Sequence, residues 1–163
     1  MGDDKMLMKS NIDREHMISE AGRLAVEYKH MGYHCSESIV RAVPRALGLP
    51  EDPSLVRAAC GFFGGGGGTG DRCGIIDVGI MLISALYGRL HPLQDENNIR
   101  VLVKCLTDRF TERFSGIYCR DIKPAAVARC GTEMGCEETY AAGASLLAEL
   151  LLDADQILST EAK

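Results

Sequence analysis

Residues 61–88 read GFFGGGGGTGDRCGIIDVGIMLISALYG, a glycine run followed by an almost unbroken apolar segment. Five consecutive glycines, Gly64–Gly68, allow the backbone to pass close to another element, because glycine carries no side chain. The stretch from Cys73 to Tyr87 is apolar on all sides and about four turns long, which is typical of a buried helix. This segment therefore predicts a glycine-rich loop that leads into a central buried helix.

The rest of the chain has helical periodicity nearly throughout, with apolar residues recurring every three or four positions. These stripes lie at 17–28, 39–47, 55–62, 99–114 and 140–152. No alternating polar and apolar run is long enough for a sheet. The pattern predicts an all-α fold, a single-domain bundle of six to seven helices. We expect a flexible N-terminus over 1–10, one helical domain over 11–158 and a frayed tail over 159–163.

Several residues predict where helices begin, bend or end. Asn11 is a candidate cap for the first helix, and Pro44 should bend or split the second. Asp52 followed by Pro53 is typical of a cap and a first helical residue. A short turn is expected around Pro124–Arg129.

Composition and charge limit the classes of function. Of the 163 residues, 46% are hydrophobic and 25% are charged, an ordinary balance for a globular protein. The net charge of −5 argues against a nucleic-acid partner, which requires a basic face. The chain shows neither a membrane-spanning stretch nor a secretory signal. We therefore expect a cytoplasmic location without membrane insertion.

The chain contains seven cysteines and no C-x-x-C pair. Four of them, Cys35, Cys73, Cys119 and Cys136, fall at the edges of predicted helices. A thiol at a helix N-terminus feels the positive end of the helix dipole, which favours the thiolate that attacks disulfides and binds metals. Of the others, Cys60 and Cys105 are expected to be core thiols, and Cys130 is close enough in sequence to meet Cys136.

Charged neighbours could support two of these thiols. Arg72 supplies a positive charge next to Cys73, and His34 could hold Cys35 as a thiolate ion pair. Asp77 lies one turn after Cys73 in an otherwise apolar helix. It could accept the thiol proton, or it could be a carboxylate satisfied by backbone N–H groups of the glycine loop.

The glycine run also satisfies a nucleotide-binding pattern, G-x-G-x-x-G, through Gly65, Gly67 and Gly70. That fingerprint has meaning only after a β-strand, and the preceding segment is predicted to be helical. The glycine run is not followed by the lysine and serine or threonine that a Walker loop requires. The preferred interpretation is that the glycines present Cys73 to a small crevice.

The order of these motifs resembles the C_GCAxxG_C_C family of redox-active proteins. The likeness covers roughly residues 15–151 and is carried by His34-Cys35-Ser36, the glycine run with Cys73-Gly74, the phrase ending Tyr118-Cys119-Arg120, and Cys136. The resemblance implies a small helical protein with four hallmark cysteines. The chain departs from the pattern after Cys73-Gly74, where the alanine of the family is Ile75 and the expected glycine is Val78 or shifted to Gly79.

Three hypotheses follow. In the first, the protein carries out thiol–disulfide exchange or electron transfer, as a thiol-dependent oxidoreductase if it is an enzyme. Cys73 would attack, Cys35 would resolve, and Arg72 would assist electrostatically. In the second, the four cysteines hold a metal ion or an iron–sulfur cluster. In the third, the protein is an interaction module with buried cysteines. A redox partner protein and a homodimer are both compatible with a chain of this size.

Overall fold

The computed structural model describes the backbone of residues 3–130 and 136–161, and the side chains of residues 12–130 and 136–160. This part of the chain forms eight α-helices and one 3₁₀ turn at Cys60–Phe62. The helices are α1 (Asp3–His30), α2 (Cys35–Ala46), α3 (Pro53–Ala59), α4 (Gly74–Tyr87), α5 (Asn97–Phe114), α6 (Cys119–Cys130), α7 (Cys136–Leu152) and α8 (Ala154–Glu161). The predicted all-α class is confirmed.

The helix count exceeds the predicted six or seven for two reasons. The chain after α7 forms a separate α8, and the expected short turn at Pro124–Arg129 is wrong because this stretch lies inside α6. Pro124 removes the N–H that would bond to the carbonyl of Arg120, and its ring crowds that carbonyl. The helix is retained because Ile122 and Ala126 are buried against the rest of the protein.

The predicted helix boundaries fare unevenly. Asn11 does not cap α1, which begins earlier because neither proline nor glycine interrupts the preceding residues. Pro44 does not split α2 but lies in its last turn. The third prediction is confirmed: Asp52 Oδ1 accepts a hydrogen bond of 2.7 Å from the Ser54 N–H, and Pro53 is the first residue of α3. Both α1 and α8 run through the predicted domain ends as helices, and the mobility of those ends stays a prediction.

Helix α1 lies antiparallel to α7, its most extensive packing partner. At one end Arg14 Nη2 is 2.7 Å from Asp153 Oδ1, and at the other Lys29 Nζ is 3.2 Å from Glu137 Oε1. The end of α1 therefore lies beside the start of α7. That end of the molecule is where the candidate site is found.

The core is built from α1, α2, α4, α5 and α7. Its largest fully buried side chains include Leu24, Ile39, Val43, Ile76, Ile83, Leu102, Leu106, Phe110, Leu147 and Leu150. Helix α4 packs against α2, α5 and α7, and half of its residues are buried. Across the described helices, none combines the length and the apolar character needed to cross a bilayer.

The contact between α4 and α7 explains how Ile75 is accommodated. A Cβ atom on Gly143 of α7 would lie 2.6 Å from Cγ2 of Ile75. Gly143 thus makes room for the larger side chain that this chain has after Cys73-Gly74.

We predict that Gly143→Ala lowers the free energy of unfolding by about 1–3 kcal/mol, because the added methyl overpacks the α4–α7 contact. Ile75→Ala alone should also destabilise, by about 2–5 kcal/mol, because it leaves a cavity. In the double variant, the loss of unfolding free energy, measured in urea, should be smaller than the sum of the two single losses. Strict additivity would contradict this contact.

Candidate functional site

The four cysteines that sequence analysis singled out line one cavity of about 510 Å³. Cys35, Cys119 and Cys136 are half-buried there, and Cys73 is buried. They come from four separate segments of the chain, so only the tertiary fold brings them together. The structure therefore provides the shared cavity on which a multi-cysteine chemistry depends.

Each of these cysteines lies at the start of a helix, as predicted for Cys35, Cys73 and Cys136, whereas Cys119 begins α6, a helix that the sequence analysis did not predict. Cys35, Cys119 and Cys136 are the first residues of α2, α6 and α7, and Cys73 is the N-cap of α4. The first N–H groups of a helix have no partner within it, so they can face a sulfur atom. Helix starts thus account for both the placement of the sulfurs and part of their electrostatics.

A short antiparallel pairing aligns two of the cysteines. The segment before α4 and the segment before α6 lie side by side: the Cys73 N–H donates to the Ile117 carbonyl at 2.7 Å, and the Cys119 N–H donates to the Asp71 carbonyl at 2.8 Å. Alternate residues of an extended chain point to the same face. Cys73 and Cys119 therefore share the face that borders the cavity.

The same alternation turns Arg72 away from the cysteines. Arg72 is bridged to Tyr118 on the opposite face, and its guanidinium pairs with the carboxylate of Asp77. Both Arg72 and Asp77 line a separate surface depression outside the cysteine cavity. The predictions that Arg72 assists Cys73 and that Asp77 takes its proton are therefore corrected: the two charges satisfy each other.

His34 lines the cavity next to Cys35, but its ring is engaged elsewhere. The imidazole stacks on Phe63 with ring centroids 4.5 Å apart. Its backbone N–H donates to Glu37 Oε2 at 3.0 Å, which stabilises the start of α2. The ion pair with Cys35 stays a prediction.

The glycine run folds as a left-handed turn. All of Gly64–Gly68 have φ between +59° and +86°, a conformation that costs side-chain-bearing residues free energy and that glycine adopts readily. The N–H groups of residues 66–71 donate to carbonyls of residues 61–66. They are not free to hold a phosphate. The backbone N–H of Gly64 instead acts to lower the pKa of the Cys35 thiol, against the larger effect of burial.

Burial dominates the electrostatics of the inner thiols. It raises the pKa of Cys73 to about 12, although the N–H groups of Ile75 and Ile76 act in the opposite direction. Burial also raises the pKa of Cys35, with the Gly64 and Ser36 N–H groups opposing it. The helix start was expected to favour the thiolate of Cys73, but desolvation outweighs the helix terminus and the pKa is raised instead.

The outer thiols face a milder environment. Burial raises the pKa of Cys119 and of Cys136, and in both cases the ammonium group of Lys123 lowers it. For Cys136, Cys119 adds to the rise and Lys29 opposes it. Cys119 thus combines partial exposure, a helix start and a nearby cation.

We predict that the rate of Cys73 alkylation by iodoacetamide keeps rising as the pH is raised well above 9. A raised pKa leaves the thiol protonated over this range, so each pH unit increases the thiolate fraction about tenfold until the pKa is reached. Peptide mass spectrometry after timed labelling measures this. Cys73 in urea-denatured protein serves as the control. If the alkylation rate stopped rising at the same pH in the folded and the denatured samples, the raised pKa would be contradicted.

Two cavity residues were missed as site residues. Tyr140 lies four residues after Cys136 on α7, close enough that all four cysteines contribute to raising the pKa of its phenol, after the larger effect of burial. Thr139 is 3% exposed, and its Oγ1 has no hydrogen-bond partner among the residues described. The signal was their spacing of three and four from Cys136, which puts them on one helix face.

The remaining cysteines lie outside this cavity. Cys60 is exposed, so the prediction that it is a core thiol is wrong, whereas Cys105 packs against the core from α5. Cys130 is exposed at the end of α6. The residues that connect Cys130 to Cys136 lie outside the described part of the chain.

Among the described side chains, those of residues 12–130 and 136–160, no set of three potential metal ligands from His, Cys, Asp and Glu is in place. Ligation of a metal ion or an iron–sulfur cluster by the four cysteines stays a prediction.

Comparison with known proteins agrees with the cysteine pattern. A family model described as "Putative redox-active protein (C_GCAxxG_C_C)" matches residues 33–150, more than half of the chain. Neither a curated protein nor a solved structure matches. The matched range contains all four cavity cysteines and the left-handed glycine turn. The chain belongs to the C_GCAxxG_C_C family.

Proposed function

We propose that this protein is a thiol–disulfide redox protein whose redox group is the set of four cysteines, Cys35, Cys73, Cys119 and Cys136. The observation that carries the proposal is their convergence on one cavity from four separate helix starts. The family description as redox-active supports it at a coarser level.

The environments of the thiols support an order of reaction. Cys119 is half-buried, and Lys123 favours its thiolate. Cys73 is buried, with a pKa of about 12, so almost none of it is thiolate near neutral pH. Lys123 also favours the thiolate of Cys136, but Cys119 and Cys130 add to burial in raising the pKa of that thiol, whereas burial alone raises the pKa of Cys119. Cys119 is therefore the attacking thiol in this proposal, and Cys73 is an inner thiol that reacts later. A cytoplasmic location would supply reductants that return the disulfide to thiols.

The proposal is tested in a variant that retains only the cavity cysteines, with Cys60, Cys105 and Cys130 replaced by serine. The reduced variant is treated with a mild oxidant, and free thiols are counted before and after re-reduction. We expect thiols to be lost in pairs within a monomer and to be recovered with dithiothreitol. Metal analysis of the same untreated sample tests ligation of a metal or iron–sulfur cluster.

An unchanged thiol count after oxidation would contradict the proposal and would favour an interaction module with inert cysteines. About one equivalent of bound metal per chain, with thiols protected until the metal is removed, would contradict it in favour of a metal protein.

A further inference from the structure

The cysteine cavity is basic although the protein as a whole is acidic. Its lining includes Lys29, Arg120 and Lys123, together with His34, and among the described residues no carboxylate lines it. The chain carries a net charge of −5. A local excess of positive charge in such a chain selects for an anionic ligand.

The three cations differ in how far their charge is already balanced. Lys29 Nζ is 3.2 Å from Glu137 Oε1, and Arg120 Nη2 is 3.8 Å from Asp71 Oδ1. Lys123 forms no ion pair with any carboxylate in the described part of the chain. It is therefore the cation whose charge is available to a ligand.

A second, independent observation points to a ligand. The hydroxyl of Thr139 lines the cavity, is buried, and has no hydrogen-bond partner within the described residues. Burying a hydroxyl without a partner is unfavourable, and an acceptor atom on a ligand would relieve that cost. Ser36 is also unpartnered and buried, but it does not line this cavity.

The rest of the cavity lining suits the apolar part of a small organic molecule. Phe63, Ile75, Ile122 and Pro124 contribute apolar surface. The volume of about 510 Å³ is typical of sites for small organic molecules. The cavity therefore offers sulfur, a cation, a hydroxyl and an apolar wall to one ligand.

We propose that the oxidant this cavity accepts is a small organic disulfide that carries carboxylate groups, recognised by Lys123 and the Thr139 hydroxyl. The inference rests on the proposed function. It adds the substrate class, which neither the family description nor the cysteine pattern supplies.

The exchange proceeds in two steps. The Cys119 thiolate attacks one sulfur of the ligand, so that a Cys119–ligand disulfide forms as the ligand's own S–S bond breaks, and the released thiolate takes a proton from water. A second cavity cysteine loses its proton to water and attacks the Cys119 sulfur, releasing the other half of the ligand. The protein gives up two electrons and two protons, and the ligand disulfide becomes two thiols.

The test uses the reduced protein that retains only the four cavity cysteines, with three disulfides of similar length. These are dithiodipropionate, which is anionic, hydroxyethyl disulfide, which is neutral, and cystamine, which is cationic. Each rate is divided by the rate of the same disulfide with N-acetylcysteine amide, which removes intrinsic reactivity. We expect the normalised rate for dithiodipropionate to exceed that for cystamine about tenfold.

Two variants test whether Lys123 and Thr139 recognise the anionic disulfide. Lys123→Gln should reduce the anionic preference, and Thr139→Val should raise the half-saturating concentration of dithiodipropionate alone. Lys104→Gln, which removes an exposed charge on α5, is the matched control and should change neither. Without any variant, suberate, a dicarboxylate of the same length with no sulfur, should slow the reaction with hydroxyethyl disulfide.

The outcomes separate the two proposals. Equal normalised rates for the three disulfides, or no inhibition by suberate, would overturn anion recognition while leaving thiol–disulfide chemistry intact. Failure of all three to oxidise the cavity cysteines would overturn the proposed function itself. If Lys123→Gln kept the full preference for dithiodipropionate over cystamine, Lys123 would not be the residue that recognises the anion.

Discussion

Replacing Cys119 with serine is expected to slow the first reaction of the reduced protein with a small disulfide severalfold. A serine hydroxyl does not attack a disulfide, so the reaction must begin at another cavity thiol. Each unit of higher pKa lowers the thiolate fraction near neutral pH about tenfold. The more basic sulfur is also the stronger nucleophile, and this restores about half of the lost attack rate on a logarithmic scale. Stopped-flow measurement of thiol release gives the rate.

Cys73→Ser is the matched comparison, because Cys73 is buried in the same cavity and has the high pKa of about 12. Its removal should leave the first step almost unchanged. Cys105→Ser, outside the cavity, should have no effect on the rate. If Cys73→Ser produced the larger loss, the attack would belong to Cys73 and the environment argument for Cys119 would be wrong.

Gly74→Ala is expected to destabilise the protein by about 3 kcal/mol, at the upper end of the usual cost of overpacking. A methyl group there would overlap the carbonyl oxygen of Phe62 and would lie 3.2 Å from the sulfur of Cys35. Both neighbours are confined, one as backbone and the other by its place at the start of α2. The added atom must therefore shift the glycine loop away from α4.

Gly61→Ala is the control for this prediction. A Cβ on Gly61 would have no neighbouring atom within 4 Å, and its φ is not in the left-handed region. The free energies of unfolding of both variants are measured in urea, together with the alkylation rate of Cys35. Similar stabilities for the two variants would show that the close packing of Gly74 against Cys35 is not present in solution.

The parts of the fold that sequence analysis predicted are those determined locally. The apolar run that forms α4 and the cap at Asp52 depend on neighbouring residues only, and both are present in the structure. Helix α6 was missed because Pro124 suggested a turn, whereas buried contacts from distant residues retain the helix. Tertiary packing overrides local preference in such a segment.

The site shows the same division. Cysteines at helix starts could be recognised from the chain, since caps and periodicity are local signals. The direction of Arg72 could not, because it depends on pairing with Tyr118, which lies far along the chain. The pKa of Cys73 was mispredicted because its helix start is visible in sequence while its burial depends on the whole fold.

Disulfide mapping most directly tests whether the four cysteines form one redox group. The native seven-cysteine protein is equilibrated in glutathione buffers of increasing oxidation, quenched with alkylating agent, and digested for peptide mass spectrometry. We predict that the intramolecular disulfides join only Cys35, Cys73, Cys119 and Cys136, with Cys60 and Cys105 absent from every such pair. Disulfides that exclude these four cysteines, or the four remaining alkylated while others oxidise, would contradict the shared cavity.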